Sequence, residues 1–315
     1  MTVSSQRPPL LSRRLIYVLG KGGVGRTTVA AALGLLSSRR GARTIVAELS
    51  GRGELARLFG HEVERGEVEI APRLWAIQID TATALDEYLA GHLPLRMLAD
   101  LVGATRLIGY LAAATPGLRE LLNAGKVWEL AQTERRVPDA SPYDLVIVDA
   151  PASGHALALL TAPQSFARAA QGGPIARQGG RIAETLRDPA LTALIGVARG
   201  NDAAVTELVE LTQRIDEELG LALSLVAVDA LPQAPLDDGD AAALARARGS
   251  LGGAARTAID RALAQSRDAH VAREEVERLR RELAGTPLVE LPRSDSAEFG
   301  LAELETLAAQ LEVAL

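Results

Sequence analysis

With 315 residues, 48% of them hydrophobic, the chain is long enough to bury one large α/β core or two ordinary ones. Lys+Arg total 34 against Asp+Glu 40, a net charge of −6, so the chain as a whole lacks the electrostatic footprint of a nucleic-acid binder. It has no cysteine, which excludes disulfides, thiol catalysis and cysteine-held metal or metalloid.

Neither an apolar run of about 18 residues nor a basic-then-apolar leader is found, so a cytoplasmic protein without an integral membrane segment is expected. Residues 1–14, MTVSSQRPPLLSRR, read as a flexible tail, and 15–315 as a single domain. Leu15 to Leu19 form a buried strand that breaks into the glycine-rich loop GKGGVGRTT, and a helix restarts from Arg26 to Ser38, ended by Gly41. Arg43 to Leu49 is a β-branched run suited to a buried parallel strand, leading into the turn Ser50 to Leu55. Leu74 to Asp80 is a further strand, and Thr81 to about Glu134 has helical spacing. Tyr143 to Ala150, YDLVIVDA, is a strand ending in Asp149, followed by PASGH and a helix near Ala156.

Residues 163–190 include a glycine-rich link, QGGP and QGG, between helical pieces, read as a mobile connector. Strands are expected at Leu191 to Ala198 and Leu223 to Asp229, with an amphipathic helix from Asp202 to Leu219 between them. The small-residue stretch 241–256 is of low complexity. A charged helix spans about Ala258 to Ala284, Pro287 to Leu291 is the last strand, and Ser296 caps a closing helix. Strands alternating with helices give a doubly wound, mostly parallel α/β sheet with its ligand at the carboxyl ends of the strands. A helical subdomain is inserted, mainly 81–140 and 160–190.

The loop is a phosphate cradle, because backbone amides and the positive end of the helix dipole converge on one spot. Gly20 and Gly25 match the consensus G-x-x-x-x-G-K-[ST], with Arg26 in place of the lysine. Only two of the 34 basic residues are lysines, Lys21 and Lys126. Arginine at 26 therefore follows the habit of the chain, while Lys21 in the same loop departs from it.

GKGGVGRTT resembles the deviant phosphate-binding loop, GKGGVGKTT, of the family containing the nitrogenase iron protein, the MinD/ParA partition ATPases and the arsenite-pump/guided-entry ATPases. DAPASGHAL (Asp149 to Leu157) is similar to the DTAPTGHTL switch of the arsenite-pump/guided-entry branch. SGRGELARLF (Ser50 to Phe59) sits where that branch has its first switch, and TPGLRELLNAGKVWEL (Thr115 to Leu130) looks like its PGIDE-type segment. VDALP (Val228 to Pro232) and ELPRSDSAEFG (Glu290 to Gly300) extend the likeness over nearly the whole chain, most closely to a bacterial sub-branch of paired, unequal paralogues. The resemblance implies a P-loop NTPase fold with ATP or ADP and Mg²⁺. Nucleotide binding falls to Gly20, Lys21, Gly22, Gly23, Val24, Gly25, Arg26, Thr27 and Thr28, metal binding to Thr27 and Asp149, and base binding to Asp229 and Pro292. It also implies that Lys21 reaches across a dimer to the partner's nucleotide, the partner being a second copy or a paralogue, and that an unknown protein client is served.

The departures from the family are specific. Ser50 stands where the water-orienting aspartate is expected, and serine supplies no carboxylate. Arg26 keeps the charge of the lysine in a bulkier, planar fork. Weak or lost hydrolysis by the isolated chain follows as an expectation. Glu48 is either a substitute base or a strand-end carboxylate paired with an arginine such as Arg52, and His155 either serves catalysis or caps and packs. Asp229 replaces an adenine-reading asparagine and accepts but does not donate; ATP is the nucleotide expected, although a carboxylate at a base site suits guanine. Neither a cysteine clasp nor a methionine-rich groove is present, and Leu93 to Leu111 is the stretch that could line an apolar groove. Two other readings remain: a competent homodimeric ATPase with adapted Arg26 and Glu48, and a MinD/ParA-like positioning protein, against which the acidic C-terminal stretch argues.

Overall fold

The computed structural model describes residues 9–49, 53–62, 66–81, 84, 117–135, 140–170, 172–250, 252–296 and 298–315. The expectations for Ser50, Arg52 and Leu93 to Leu111, and for most of the helical stretch 81–116, lie outside the described residues. Among the described residues eight strands form one sheet: β1 (Leu15–Gly20), β2 (Thr44–Glu48), β3 (Glu67–Ala71), β4 (Leu74–Gln78), β5 (Leu145–Asp149), β6 (Thr192–Ala198), β7 (Leu225–Leu231) and β8 (Leu288–Pro292). Their spatial order is β3-β4-β2-β5-β1-β6-β7-β8, and every neighbouring pair is parallel except β3 with β4. Such a sheet needs helices on both faces, which is why β1, β2, β5 and β6 read as unbroken apolar runs and are buried along their whole length.

The helices are α1 (Arg26–Arg39), α2 (Glu54–Leu58), α3 (Leu118–Leu130), α4 (Ser153–Ala169), α5 (Gly173–Arg187), α6 (Asp202–Leu219), α7 (Asp238–Ala247), α8 (Gly253–Glu282) and α9 (Leu301–Ala314). Helix α1 is apolar all round and buried from Val29 to Ser38, as a helix enclosed between the sheet and α9 must be. The fold class is therefore the doubly wound α/β sheet expected.

Several local readings are corrected. The helical pieces expected within 163–190 are the end of α4, which accommodates Pro163, and α5, but the glycine-rich link between them shrinks to the turn at Gly172, and the second glycine pair, Gly179 and Gly180, lies inside α5. Antiparallel β3, short and half-exposed, was not foreseen, and neither was α7, where Asp237 caps an alanine-rich run by accepting from the Asp240 N–H at 2.7 Å. Ser296 does not cap the closing helix; the cap is Gly300, whose N–H donates to Glu303 Oε2 at 2.9 Å. Of the stretch read as a tail, Arg13 is buried and donates to the Thr192 carbonyl (3.1 Å) and Ser224 Oγ (2.9 Å), while Arg14 donates to the Ala131 and Tyr143 carbonyls.

The edge strand β3 is fastened by a polar network. Arg135 donates to Glu67 Oε1 (2.5 Å) and Glu129 Oε1 (3.0 Å), and Tyr143 Oη donates to Glu67 Oε2 (2.7 Å). Arg43 lies over the Trp75 ring, 3.8 Å from its centroid. The Arg135 side chain is 1% exposed, and its removal takes a partner from each of two carboxylates, leaving Tyr143 on Glu67 and the Lys126 ammonium 3.5 Å from Glu129. Arg135→Met is expected to cost about 2–3 kcal/mol in denaturant unfolding. Burial would raise the Glu67 carboxyl, but the bonds from Arg135 and Tyr143 hold it below its ordinary 4.5. Its contribution to stability is therefore present above that value and is lost as pH falls through the lower, folded one. Glu67→Gln should flatten the acid limb of a stability profile below about pH 4.5 while shifting the neutral limb uniformly.

Candidate functional site

Strand β1 lies between β5 and β6 and delivers the chain into the glycine loop at the carboxyl edge of the sheet. Two glycines there are demanded by geometry. Gly20 has φ +152°, and a Cβ on it would sit 2.3 Å from the Val197 carbonyl oxygen. Gly25, the N-cap of α1, has φ +96°, and its Cβ would fall 1.9 Å from Asp229 Oδ2. Val24 is buried and anchors the loop. Among the described residues no side chain caps α1, so the amides of its first turn and the positive end of its dipole are available to an anion.

Thr27 Oγ1 donates to Asp149 Oδ2 at 2.6 Å. Asp149 ends β5 in register with Val18, and its buried Oδ1 has no hydrogen-bond partner among the described residues. Burial pushes its carboxyl up to about 6; the bond from Thr27 and the charge of Arg26 oppose this, while Glu48 and Glu54 add to it. An orphaned buried oxygen of this kind costs about 1–3 kcal/mol unless something binds it. One hydroxyl and one carboxylate beside an anion cradle suit Mg²⁺, which takes few protein oxygens and completes its shell from water and phosphate.

Arg26 donates through Nη1 to the Ala150 carbonyl oxygen, so its fork bridges the loop to the chain just beyond β5. A cleft of about 500 Å³ opens here. Gly22, Gly23, Gly25, Arg26, Thr27 and Thr28 line it from the loop and α1, facing Leu49 and Glu54, then Arg119, Glu120 and Asn123 of α3. Pro151, Ala152, His155, Leu159 and Arg199 complete the wall. His155 Nδ1 is 3.5 Å from Glu120 Oε1, an ion pair when the imidazole is protonated, and it joins α4 to α3.

The remaining expected residues separate. Glu48 is buried, and its carboxylate accepts the backbone N–H groups of Glu54 (3.4 Å) and Leu55 (3.2 Å), which open α2. Lys21 does not line the cleft; its ammonium is 3.2 Å from Glu207 Oε2 on α6. Asp229 is buried against Gly25, two residues before the end of β7. The β7–β8 register shifts between Val228 and Leu231, and Ala230 holds φ +53°, a bulge that redirects the chain beside the site. Burial pushes the Asp229 carboxyl up to about 6, opposed by the Ala230 N–H and the charge of Arg199. Pro292 ends β8 in register with Leu231.

Arg199, Arg119, Asn123 and Glu207 were not foreseen. Arg199 follows the strand beside β1, and its position at a carboxyl strand end was the available signal. The other three lie on helices and come to the site through packing, which no local pattern announces.

A family model described as the anion-transporting ATPase matches residues 13–172. ATPase BagA of Mycobacterium tuberculosis (strain H37Rv) is 30% identical over 181 residues, 55% of this chain and 52% of that protein. An uncharacterized protein of Streptomyces coelicolor, SCO2128, is 35% identical over 216 residues, 68% of this chain and 52% of its own. ATPase GET3C of Arabidopsis thaliana is 27% identical over 172 residues, 50% of this chain and 43% of its own. The chain thus spans about half the length of the curated relatives it matches. Among the described residues no helix is long and apolar enough to cross a membrane.

Proposed function

Because the chain belongs to the anion-transporting ATPase family, we propose that it binds Mg-ATP and Mg-ADP at residues 20–28 as half of a nucleotide-dependent dimer, formed with a second copy or a paralogue. Its own hydrolysis is weak or lost. The observation that carries this is the divided state of the site. The metal-side pair, Thr27 and Asp149, is in hydrogen-bond contact with a carboxylate oxygen left open, whereas Arg26 is engaged with the Ala150 carbonyl.

In this reading the amides of the loop and of the first turn of α1 hold the phosphates. Thr27 and Asp149 hold the metal, which when bound neutralises charge on the phosphate oxygens. Arg26 contributes charge but, as a planar fork tied to Ala150, does not follow the transferring phosphoryl as a mobile ammonium would. Glu48, hydrogen-bonded to the start of α2, would have to give up those amides to act as a base. His155 and Glu120 connect the chain after β5 to α3, the route by which nucleotide state would reach a helical subdomain and a protein client.

Calorimetric titration of the purified chain with ATP, ADP and GTP in Mg²⁺, with and without a paralogue, tests the reading. Micromolar binding with little turnover supports it; absence of all nucleotide binding overturns it. Asp229 and Pro292 are assigned to the base. Asp229→Asn, which restores a donor, is expected to raise the ATP-to-GTP affinity ratio by about tenfold, one charge-assisted or amide hydrogen bond's worth of discrimination.

A further inference from the structure

Lys21 is the first residue after β1, next to the glycines that line the cleft, yet its ammonium is turned to α6. There Glu207 carries two bonds at once. Oε2 meets Lys21 Nζ at 3.2 Å, and Oε1 accepts from the hydroxyl of Ser153, the first residue of α4. Ser153 follows Asp149 by four residues, so the same carboxylate ties the beginning of the phosphate loop to the segment that leaves the metal side of the site. Arg26 fastens loop and segment a second time through the Ala150 carbonyl. The hydrogen bond from Ser153, together with the charges of Lys21 and Arg26, keeps the Glu207 carboxyl below its ordinary value, so it stays anionic at neutral pH.

A lone ion pair with side chains 41% and 34% exposed would restrain a lysine little. The second bond changes that, because a carboxylate held by Ser153 presents Lys21 with a fixed partner rather than a wandering one. We propose that Glu207 is a positioning residue that restrains Lys21 outside the cleft, and that a nucleoside triphosphate must draw Lys21 away from it. Glu207 thereby sets how strongly the site distinguishes triphosphate from diphosphate. This rests on the reading of residues 20–28 as a nucleotide site. The chemistry is competition between two anions for one ammonium. A terminal γ-phosphate, dianionic and exposed at the end of the chain of phosphates, is the ligand able to compete; a diphosphate held by the backbone amides has no need of Lys21. Movement of the 150–155 segment on binding would loosen Ser153 from Glu207 and make the release cooperative with metal-side closure.

The test is calorimetric titration of Mg-ATPγS and Mg-ADP into the full chain and into Glu207→Gln, Lys21→Gln and the double variant, with thermal unfolding as a check that each is folded. Glu207→Gln keeps size and hydrogen bonding but removes the charge. It is expected to bind ATPγS about fivefold tighter with ADP affinity unchanged within twofold, and the gain should vanish in the double variant. Ser153→Ala should move ATPγS affinity in the same direction by less. An unchanged or weakened ATPγS affinity in folded Glu207→Gln overturns the proposal, as does a gain that persists without Lys21 or applies equally to ADP. Binding of neither nucleotide by any protein, the unaltered chain included, overturns the nucleotide-site reading itself, which separates the two failures.

Discussion

Arg26→Lys combined with Ser50→Asp is expected to raise steady-state ATP turnover of the purified chain by about 10²-fold or more, since a single positioned charge on the transferring phosphoryl is worth on the order of 10³–10⁵ in rate. The arginine lies in the first turn of α1, one residue before Thr27, where its side chain reaches both the cleft and the Ala150 carbonyl. A lysine there has a slimmer stem and a point charge that can follow the γ-phosphate, and the aspartate supplies the carboxylate that serine lacks. Arg26→Lys alone should give a smaller gain, because it repairs charge placement without water positioning. The result that defeats the expectation is a fall in turnover on Arg26→Lys, which would mark a site adapted to arginine, with the phosphate-side chemistry already competent.

How far the chain could be read in advance follows from which forces act locally. The parallel strands β1, β2, β5 and β6 are buried along both faces, so each is an apolar run bounded by turn residues and visible without neighbours. The phosphate loop was visible for the same reason: Gly20 and Gly25 answer to backbone geometry at their own positions. Antiparallel β3 was not visible, since four of its five residues keep solvent contact and, beyond its pairing with β4, its tie to the fold is the Glu67–Arg135–Tyr143 network, across 76 positions of sequence at the longest. Glu48 showed the limit most clearly. As a carboxylate at the end of β2 it had two chemical readings, and the amides of Glu54 and Leu55 that come to it from the next helix belong to neither. Glu207 gave no sign at all, because its partners Lys21 and Ser153 belong to two separate elements.

The contact between Gly25 and Asp229 leads to the second large effect. Gly25→Ala is expected to weaken Mg-ATP binding by about 10²-fold or more, the joint result of a left-handed backbone and a blocked Cβ, each costing on the order of 1–3 kcal/mol. The added methyl would lie 1.9 Å from Asp229 Oδ2 and 2.7 Å from its Cγ. Asp229 has little room to retreat, being buried, hydrogen-bonded by Ala230 and followed by a residue already at φ +53°. The two costs can be separated with Gly25→Ala/Asp229→Gly, which removes the obstacle and leaves the backbone strain. Since Asp229 is assigned to the base, the measurement uses Mg-tripolyphosphate, which has no base to read. Recovery of roughly half the lost binding free energy in the double variant is expected if strain and obstruction contribute alike. No recovery would assign the whole loss to the φ of Gly25, and full recovery would assign it to the carboxylate. Where the loop shifts to relieve these costs, while Val24 and α1 still hold it to the core, the thermal stability of Gly25→Ala changes less than its affinity. A collapse of stability matching the loss of affinity would place Gly25 in the folding core instead of at the phosphate site.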